Sequence, residues 1–292
     1  MFKNLLVPTT GGPGDAAVFA TAGLVAGAFA AHLEFLHVRI DTSEVMMGMA
    51  AGGVGGGDAV QAVIDRMDSE ASARAAAARR TVDDMLAAAG IPLRDTPGGS
   101  GPSAEYSEQL GSQSAWVAQY GRFADLVVMG RGAPDEGARD DGAGETLEAA
   151  LMETGKPLLI APTSVPASLG KRIVIAWNDT PEAARAVACA LPFIGRAEQV
   201  TIVSVADDAE SHDQSGARLL RALRWHNPAV ALRQVVRGAF SAVEVLHREA
   251  DALSADLLVM GGYSHSPLRE MVFGGFTRRT LGASAVAVLM AH

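Results

Sequence analysis

Glycine and hydroxyl side chains cluster in the segment 255–280, which reads ADLLVMGGYSHSPLREMVFGGFTRRT. The apolar run 257–260 is too short for a helix and is bounded by glycine, so it predicts a strand buried on both faces. The polar and glycine positions that follow it are Gly261, Ser264, Gly274, Gly275 and Thr277. A strand, a glycine-rich loop and a helix N-terminus in this order are typical of an anion site. Glycine lets the backbone approach a phosphate, and the first N–H groups of the helix point at it.

The segment resembles the nucleotide-binding signature of the universal stress protein family, G-x-x-G-x9-G-[S/T]. Gly261 matches its first glycine and Gly274 its third, whereas Ser264 stands at the second glycine and Gly275 at the final Ser/Thr. Thr277 matches a further hydroxyl position of the family. The resemblance implies that these five residues hold the phosphates of ATP or a related adenine nucleotide.

The two departures weaken this phosphate site. Ser264 adds a side chain where the backbone should approach the phosphate, and Gly275 removes a hydroxyl contact. Two interpretations remain open for Arg269, Arg278 and Arg279: they compensate by charge, or they form a solvated helix face. The pattern therefore predicts a degenerate nucleotide site.

The chain repeats one unit twice. Residues 124–130, ADLVVMG, match residues 255–261, ADLLVMG, and residues 3–7 match residues 171–175. The offset is 168 residues at the first strand and 131 at the fourth, so the first copy holds 37 extra residues between them. A repeat of this length predicts two copies of one supersecondary arrangement.

Strand patterns alternate with helix patterns in both copies, which predicts right-handed crossovers and mainly parallel sheets. The fold class is therefore α/β, with two tandem doubly wound units. We expect domains at 1–163 and 171–292, with an insertion at about 42–89 in the first. In the first copy we expect Asp15 to cap a helix that runs to about residue 31.

The region before the fourth strand of the first copy is harder to interpret. We expect a short third strand near residues 91–94, then a turn cluster at 97–102, where proline and glycine are frequent. A helix pattern is expected to follow at about 105–123. In the second copy, the stretch Thr180-Pro181 and the pair Ser241 and Glu244 both predict helix starts.

The family resemblance extends over nearly the whole chain as a tandem pair. It implies an adenine nucleotide alpha hydrolase-like fold, with five strands in each unit. Family members pair through their fifth strands, so the two copies are expected to form an internal pseudo-dimer. Pairing between chains to a homodimer and an unknown protein partner both stay open.

The resemblance also places a nucleoside site in the second copy. Asn178 takes the place of the family's aspartate after the first strand, and the backbone near Val205 is expected to hold the base. Asparagine can hydrogen-bond a base or ribose without charge. The alternative is that Asn178 only shapes a turn.

The first copy departs further from the family signature than the second, and we expect no nucleotide there. Thr10 stands at the aspartate position and Ala133 at the second glycine position. The acidic segment 134–144 would repel a phosphate, unless its carboxylates held Mg²⁺. A solvated acidic loop is the other interpretation of that segment.

No catalytic or metal-binding set is recognisable. His37 ends a strand pattern, where it is either satisfied by its neighbours or a candidate base. A single cysteine and scattered histidines do not make a zinc set, and no nucleophile is spaced for catalysis with His265. We therefore expect no catalytic residues and no metal.

Charge and hydropathy exclude some classes of partner. The net charge is −9; residues 171–292 carry 13 basic and 12 acidic side chains, whereas residues 1–170 carry 11 and 21. An acidic chain without a basic face is a poor candidate for nucleic acid. No segment has the pattern of a signal peptide or a membrane span, so we expect a cytoplasmic protein.

Together these patterns predict a non-enzymatic stress-response or signalling protein of this family, with a degenerate nucleotide crevice in its second unit. One alternative is an ATP-binding member with slow ATP hydrolysis in that unit. The other is an enzyme of the wider nucleotide-binding α/β group, such as an adenylyl-transfer enzyme. The latter would need a basic catalytic motif that the sequence does not show.

Overall fold

The strands of the chain follow the predicted repeat. A computed structural model describes residues 1–42, 58–131, 142–206, 214–262 and 286–292. The strands of the first half, called unit one, are β1 (Asn4–Thr9), β2 (His32–Arg39), β3 (Ser103–Leu110), β4 (Leu126–Met129) and β5 (Leu158–Ile160). Those of the second half, unit two, are β6 (Arg172–Trp177), β7 (Gln199–Ala206), β8 (Val230–Val236), β9 (Leu257–Gly261) and β10 (Ala287–Ala291).

Helices connect these strands. In unit one they are α1 (Asp15–Phe29), α2 (Asp58–Ala89), α3 (Gln113–Gly121) and α4 (Ala143–Met152). In unit two they are α5 (Pro181–Ile194), α6 (Gln214–Leu223) and α7 (Ala242–Ala252). The extra length of unit one lies between β2 and β3, where α2 alone has 32 residues. Within the described part of the chain, no helix is both long and apolar enough to cross a membrane.

The ten strands of the described residues belong to one sheet, in the order β3-β2-β1-β4-β5-β10-β9-β6-β7-β8. Every pairing is parallel except that of β5 with β10, which is antiparallel and centred on Leu159 opposite Leu289. The predicted α/β class, the five strands in each unit and the internal pairing through fifth strands are confirmed.

Both faces of the sheet are covered by apolar layers. One layer includes Leu5 and Val7 of β1 with Val82 and Leu86 of α2, and the other includes Leu6 of β1. Neighbouring residues of one strand thus enter opposite layers, as the two-residue period of a strand requires. Strands that are buried on both faces in this way are nearly continuous in aliphatic residues.

Three phenylalanines join the first layer across the two units. Phe2 precedes β1, Phe29 ends α1 and Phe193 lies near the end of α5. Their ring centroids are 5.3 Å apart in each of the three pairs, and all three side chains are buried. Edge-to-face aromatic pairs add to the stabilisation that burial gives. Phe2 is therefore part of a core that unit two completes.

Helix starts in unit two are as predicted. The hydroxyl of Thr180 accepts from the N–H of Ala183, with Pro181 at the first helical position of α5. Ser241 and Glu244 form a full capping box at the start of α7. Each cap satisfies N–H groups that the first turn of a helix leaves without partners.

The expected third strand and following helix of unit one were wrong. Residues 103–110 form β3, whereas Leu93 makes only an isolated bridge to Ala104. The helix expected from about 105 begins at Gln113 instead. β3 is an edge strand with one neighbour, so most of its side chains reach solvent and its polar sequence hides the two-residue alternation.

One aspartate in each unit fixes the start of the first strand. In unit one, Asp125 accepts from the N–H groups of Lys3 (2.6 Å) and Asn4 (3.1 Å). In unit two, Asp256 accepts from the N–H groups of Lys171 (3.1 Å) and Arg172 (3.0 Å). The two aspartates are 131 residues apart, as in the repeat. The duplicated contact ties the residue before the fourth strand of each unit to the first strand.

We expect Asp256→Ala to lower the free energy of unfolding by about 1–3 kcal/mol, because two backbone donors lose a charged acceptor. Asp84→Ala, at an exposed position of α2, is the matched control and should change it by less than about 0.5 kcal/mol. Urea denaturation of both variants measures the difference. Equal stability of the two variants would show that Asp256 does not hold β6.

Candidate functional site

The carboxyl ends of β9, β6 and β7 lie side by side and form the crevice of unit two. β6 pairs in parallel with both neighbours, so the three ends meet at one edge of the sheet. Asn178 directly follows β6, Val205 is the penultimate residue of β7, and Gly261 ends β9. The structure therefore brings these three predicted residues to one crevice, where ligands of open α/β sheets bind. The other four, Ser264, Gly274, Gly275 and Thr277, lie outside the described residues.

The turn after β6 holds Asn178 at the mouth of this crevice. Asp179 has a left-handed backbone, with φ of 54°. The hydroxyl of Thr180 donates to Oδ1 of Asn178 over 3.0 Å, and the same hydroxyl accepts from the N–H of Ala183. The Asn178 side chain is exposed and is fixed through its carbonyl oxygen alone in this turn. It thus shapes the turn and also keeps its amide group for a ligand.

Gly261 is a glycine because α5 approaches it closely. A Cβ at this position would lie 2.6 Å from the backbone nitrogen of Ala183 and 2.8 Å from the carbonyl carbon of Glu182. The first turn of α5 therefore packs directly against the end of β9. This contact places the N-terminus of α5 beside the crevice, independently of any contact between Gly261 and a ligand.

Val205 lies half-buried, in register with Val235 of β8. Both side chains pack against the second apolar layer. On the opposite face Trp177, the last residue of β6, donates its indole N–H to the hydroxyl of Ser215 over 2.8 Å. The wall of the crevice is therefore apolar, which suits a flat base better than a charged group.

The matching turn of unit one is filled by its own carboxylate. Asp15 accepts from the N–H of Thr10 (3.0 Å), the N–H of Gly11 (2.8 Å) and the hydroxyl of Thr10 (2.8 Å). Asp15 is the first residue of α1, and Gly14 stands at the cap position. The expected role of Asp15 as a helix cap was wrong, because its side chain turns back to the preceding loop. Burial raises the pKa of Asp15, although the hydrogen bonds from Thr10 and Gly11 act in the opposite direction.

Helix α2 closes over the same turn. Gly11 has φ of 75°, and a Cβ on it would overlap the carbonyl oxygen of Arg74 in the middle of α2. Gly11 and Asp179 are 168 residues apart, as in the repeat, and both are left-handed. The two units therefore keep the same turn, but in unit one a helix backbone lies against it.

His37 lies beside this turn and is buried. Its Nδ1 is 3.0 Å from the hydroxyl oxygen and 3.2 Å from the carbonyl oxygen of Thr9. Burial lowers the pKa of His37, against the influence of Thr9, Glu108 and Asp15. The expectation that neighbours satisfy this histidine agrees with the geometry.

Sequence reasoning missed a polar link from unit one to unit two. Arg131 follows Gly130 at the end of β4, and its Nη2 donates to the carbonyl oxygen of Val286 over 2.9 Å, just before β10. Burial lowers the pKa of Arg131 to about 10. Burial and Arg131 together lower the pKa of His247 on α7. The sequence gives one signal for Arg131: it follows the repeated glycine, at the position where unit two has Gly262.

The described residues offer no metal centre, since no three His, Cys, Asp or Glu side chains among them are grouped to hold an ion. The acidic segment 134–144, considered for Mg²⁺, falls largely outside these residues.

We expect Gly261→Ala to destabilise the fold by about 1–3 kcal/mol, because the added methyl group would overlap the backbone of α5. The matched control is Gly23→Ala in α1, where a Cβ meets nothing within 4 Å and helix propensity favours alanine by about 1 kcal/mol. Thermal unfolding of the two variants should shift in opposite directions. A Gly261→Ala variant as stable as the native chain would mean that α5 does not press on β9.

Known proteins resemble the chain in sequence over one half and in fold throughout. The model of the universal stress protein family matches residues 170–292. A universal stress protein from Archaeoglobus fulgidus DSM 4304 superimposes with a TM-score of 0.68 and 16% identity, over 99% of this chain and 95% of that one. A functionally unknown protein from Pseudomonas aeruginosa PAO1 does so with a TM-score of 0.55 and 15% identity, over 99% and 92%. No curated protein matches the sequence.

Both full-length similarities are at low identity and concern the fold alone. The family match, in contrast, rests on sequence and includes the turn after β6 and the end of β9. The C-terminal half of the chain therefore belongs to the universal stress protein family, and the whole chain has the fold of a two-unit universal stress protein.

Proposed function

We propose that the protein is a non-enzymatic stress-response or signalling protein whose unit two can hold an adenine nucleotide weakly, while unit one is structural. The observation that carries this division is the place of Asp15. Its carboxylate satisfies the loop N–H groups of unit one, and Ala183 stands at the equivalent position of unit two. Within the described residues, no side chain replaces Asp15 at the turn of Asn178.

The residues of unit two fit a nucleoside. Asn178 is exposed at the mouth of the crevice with its amide group unused by the turn, and Val205 lies in an apolar wall. We assign the base and ribose to these two residues and the phosphates to the glycine segment of unit two. That phosphate set is Gly261, Ser264, Gly274, Gly275 and Thr277. A bound nucleotide would supply a charged ligand whose presence signals the state of the cell.

The residues of unit one do not fit a nucleotide. A phosphate at the turn of Gly11 would meet the carboxylate of Asp15, and like charges repel strongly where water is excluded. The backbone of α2 at Arg74 also occupies the space in front of Gly11. We therefore place the ligand in a domain at 171–292 and treat the domain at 1–163, with its insertion at 42–89, as the structural partner.

We expect Mg-ATP to bind the native chain at one site and to raise its melting temperature. At a nucleotide concentration about 100 times Kd, the stabilisation should be about 2.7 kcal/mol. Asn178→Ala should weaken binding roughly fivefold, the value of one hydrogen bond. Gly274→Val should abolish binding, because a branched side chain would stand where the backbone must approach phosphate. Titration calorimetry measures affinity and stoichiometry.

Thr10→Ala is the matched control in unit one. It removes the hydroxyl that donates to Asp15, so it should lower stability without changing the affinity for Mg-ATP. ATP should also remain intact during prolonged incubation, as measured by chromatography of the nucleotide. No binding at all, two sites per chain, or steady formation of ADP would each contradict the proposal.

A further inference from the structure

A row of polar side chains crosses the carboxyl ends of three strands in unit one. Thr9 of β1, His37 of β2 and Glu108 of β3 stand opposite one another in register. Thr9 is 1% exposed and His37 is 3% exposed. The corresponding row of unit two consists of Trp177, Ser204 and Gln234, none of which titrates near neutral pH. A titratable row is therefore a property of unit one.

Helix α2 covers the face of the sheet on which this row lies. Val7 and Phe35, two residues before Thr9 and His37, belong to the apolar layer that includes Val82 of α2. Between the buried Val82 and Ile64, the other buried side chains of α2 are small: Ala71, Ala75 and Ala78. Small side chains let the helix approach closely, and they offer no hydrogen-bond acceptor to a charged imidazole.

The contacts of His37 suit its neutral form. A carbonyl oxygen can only accept, so a hydrogen on Nδ1 satisfies the 3.2 Å contact to the Thr9 carbonyl and the 3.0 Å contact to its hydroxyl oxygen. Three charged groups influence the imidazole: Asp15 of α1, Glu108 of β3 and Arg39 of β2 itself. The carboxylate of Asp15 already accepts from Thr10 and Gly11.

Several polar and charged side chains of α2 make contacts at the rim of the helix. Asp68 accepts from the hydroxyl of Thr42, and Ser72 accepts from Arg39. Arg79 stacks on Tyr106 and pairs with Asp83. These contacts are exposed or half-exposed, so each contributes little to holding α2 closed.

We propose that His37 is an acid-sensitive latch: the neutral imidazole lets α2 close over the crevice of unit one, and protonation releases the helix. A charged imidazole needs acceptors or water on both ring nitrogens. Thr9 serves one nitrogen only, and the buried ring gains full hydration when α2 moves away. The latch is independent of any nucleotide in unit two.

The direction of the pH effect follows from burial. The pKa of His37 is lowered by burial when α2 is closed and returns toward its ordinary value of 6.5 when α2 opens. Because the open state then binds more protons, the closed state loses stability as the pH falls below this ordinary value. Above it both states are neutral, and the closed arrangement keeps its full stability.

Hydrogen exchange of the full-length chain tests the latch. Protection factors of the amides of α2 are measured by mass spectrometry at about pH 7.5 and about pH 5.5, on either side of the histidine range. In the native chain we expect them to fall severalfold at the lower pH, after correction for the intrinsic exchange rate. In His37→Gln, which cannot titrate, we expect no change with pH.

The matched control is His32→Gln on the same strand. His32 lies on the opposite face of β2, half-buried beside Glu105 (3.7 Å) and Ser103 (2.9 Å). This variant should retain the pH dependence of the native chain. A native α2 with pH-independent protection, or a His37→Gln variant that keeps the native pH dependence, would overturn the proposal.

A second measurement on the native chain covers the case in which His37→Gln does not fold. Titration of labelled histidine rings by NMR should show His37 changing with the same midpoint as the amides of α2. A His37 that titrates while the α2 amides stay constant, or that does not titrate before the chain unfolds, would equally overturn the latch.

Discussion

The antiparallel pairing of β5 with β10 is the interaction on which the rest of the structure depends. Both strands are short and completely buried, and together they turn two five-stranded sheets into one of ten strands. Their backbone groups have no other way to be satisfied at the centre of the molecule. Because the two units meet there in opposite directions, their crevices open at opposite edges of the common sheet. A substitution at one crevice therefore leaves the residues of the other crevice without a direct contact to it.

The two crevices differ in what lies against the turn after the first strand. In unit one, the carboxylate of Asp15 accepts from the N–H groups of the loop. The backbone of α2 at Arg74 fills the space in front of Gly11. In unit two, the same left-handed turn persists at Asp179, and Thr180 caps the following helix. Within the described residues, the fold thus presents one turn filled by a carboxylate and one turn that no carboxylate fills.

Much of the fold could be predicted because its central elements carry strong local signals. The repeated run 126–129 and 257–260 is purely aliphatic, and Ser241 with Glu244 marks a helix start by its hydrogen-bonding chemistry alone. β3 escaped prediction because an edge strand buries few side chains, so packing against β2 rather than apolar pattern decides its conformation. For any residue in a polar stretch, tertiary contacts of this kind leave no pattern in the local sequence.

The candidate site was predictable only in part. The position of Asn178 follows from the repeat, but the closure of unit one depends on contacts between residues far apart in sequence, such as Gly11 with Arg74. The link from Arg131 to Val286 spans 155 residues and has no local pattern at all. Spacing motifs indicate which loops share an edge, and long-range packing decides which of them stays accessible.

The burial of Phe2 against Phe193 has a consequence for how the chain is made. On the ribosome, Phe2 emerges long before α5, and β5 emerges long before β10. Throughout that interval the nascent protein carries an unpaired aliphatic strand edge and an exposed aromatic ring, both of which invite association with other chains. A chain whose synthesis stops between the two units would therefore keep both this strand edge and this ring uncovered.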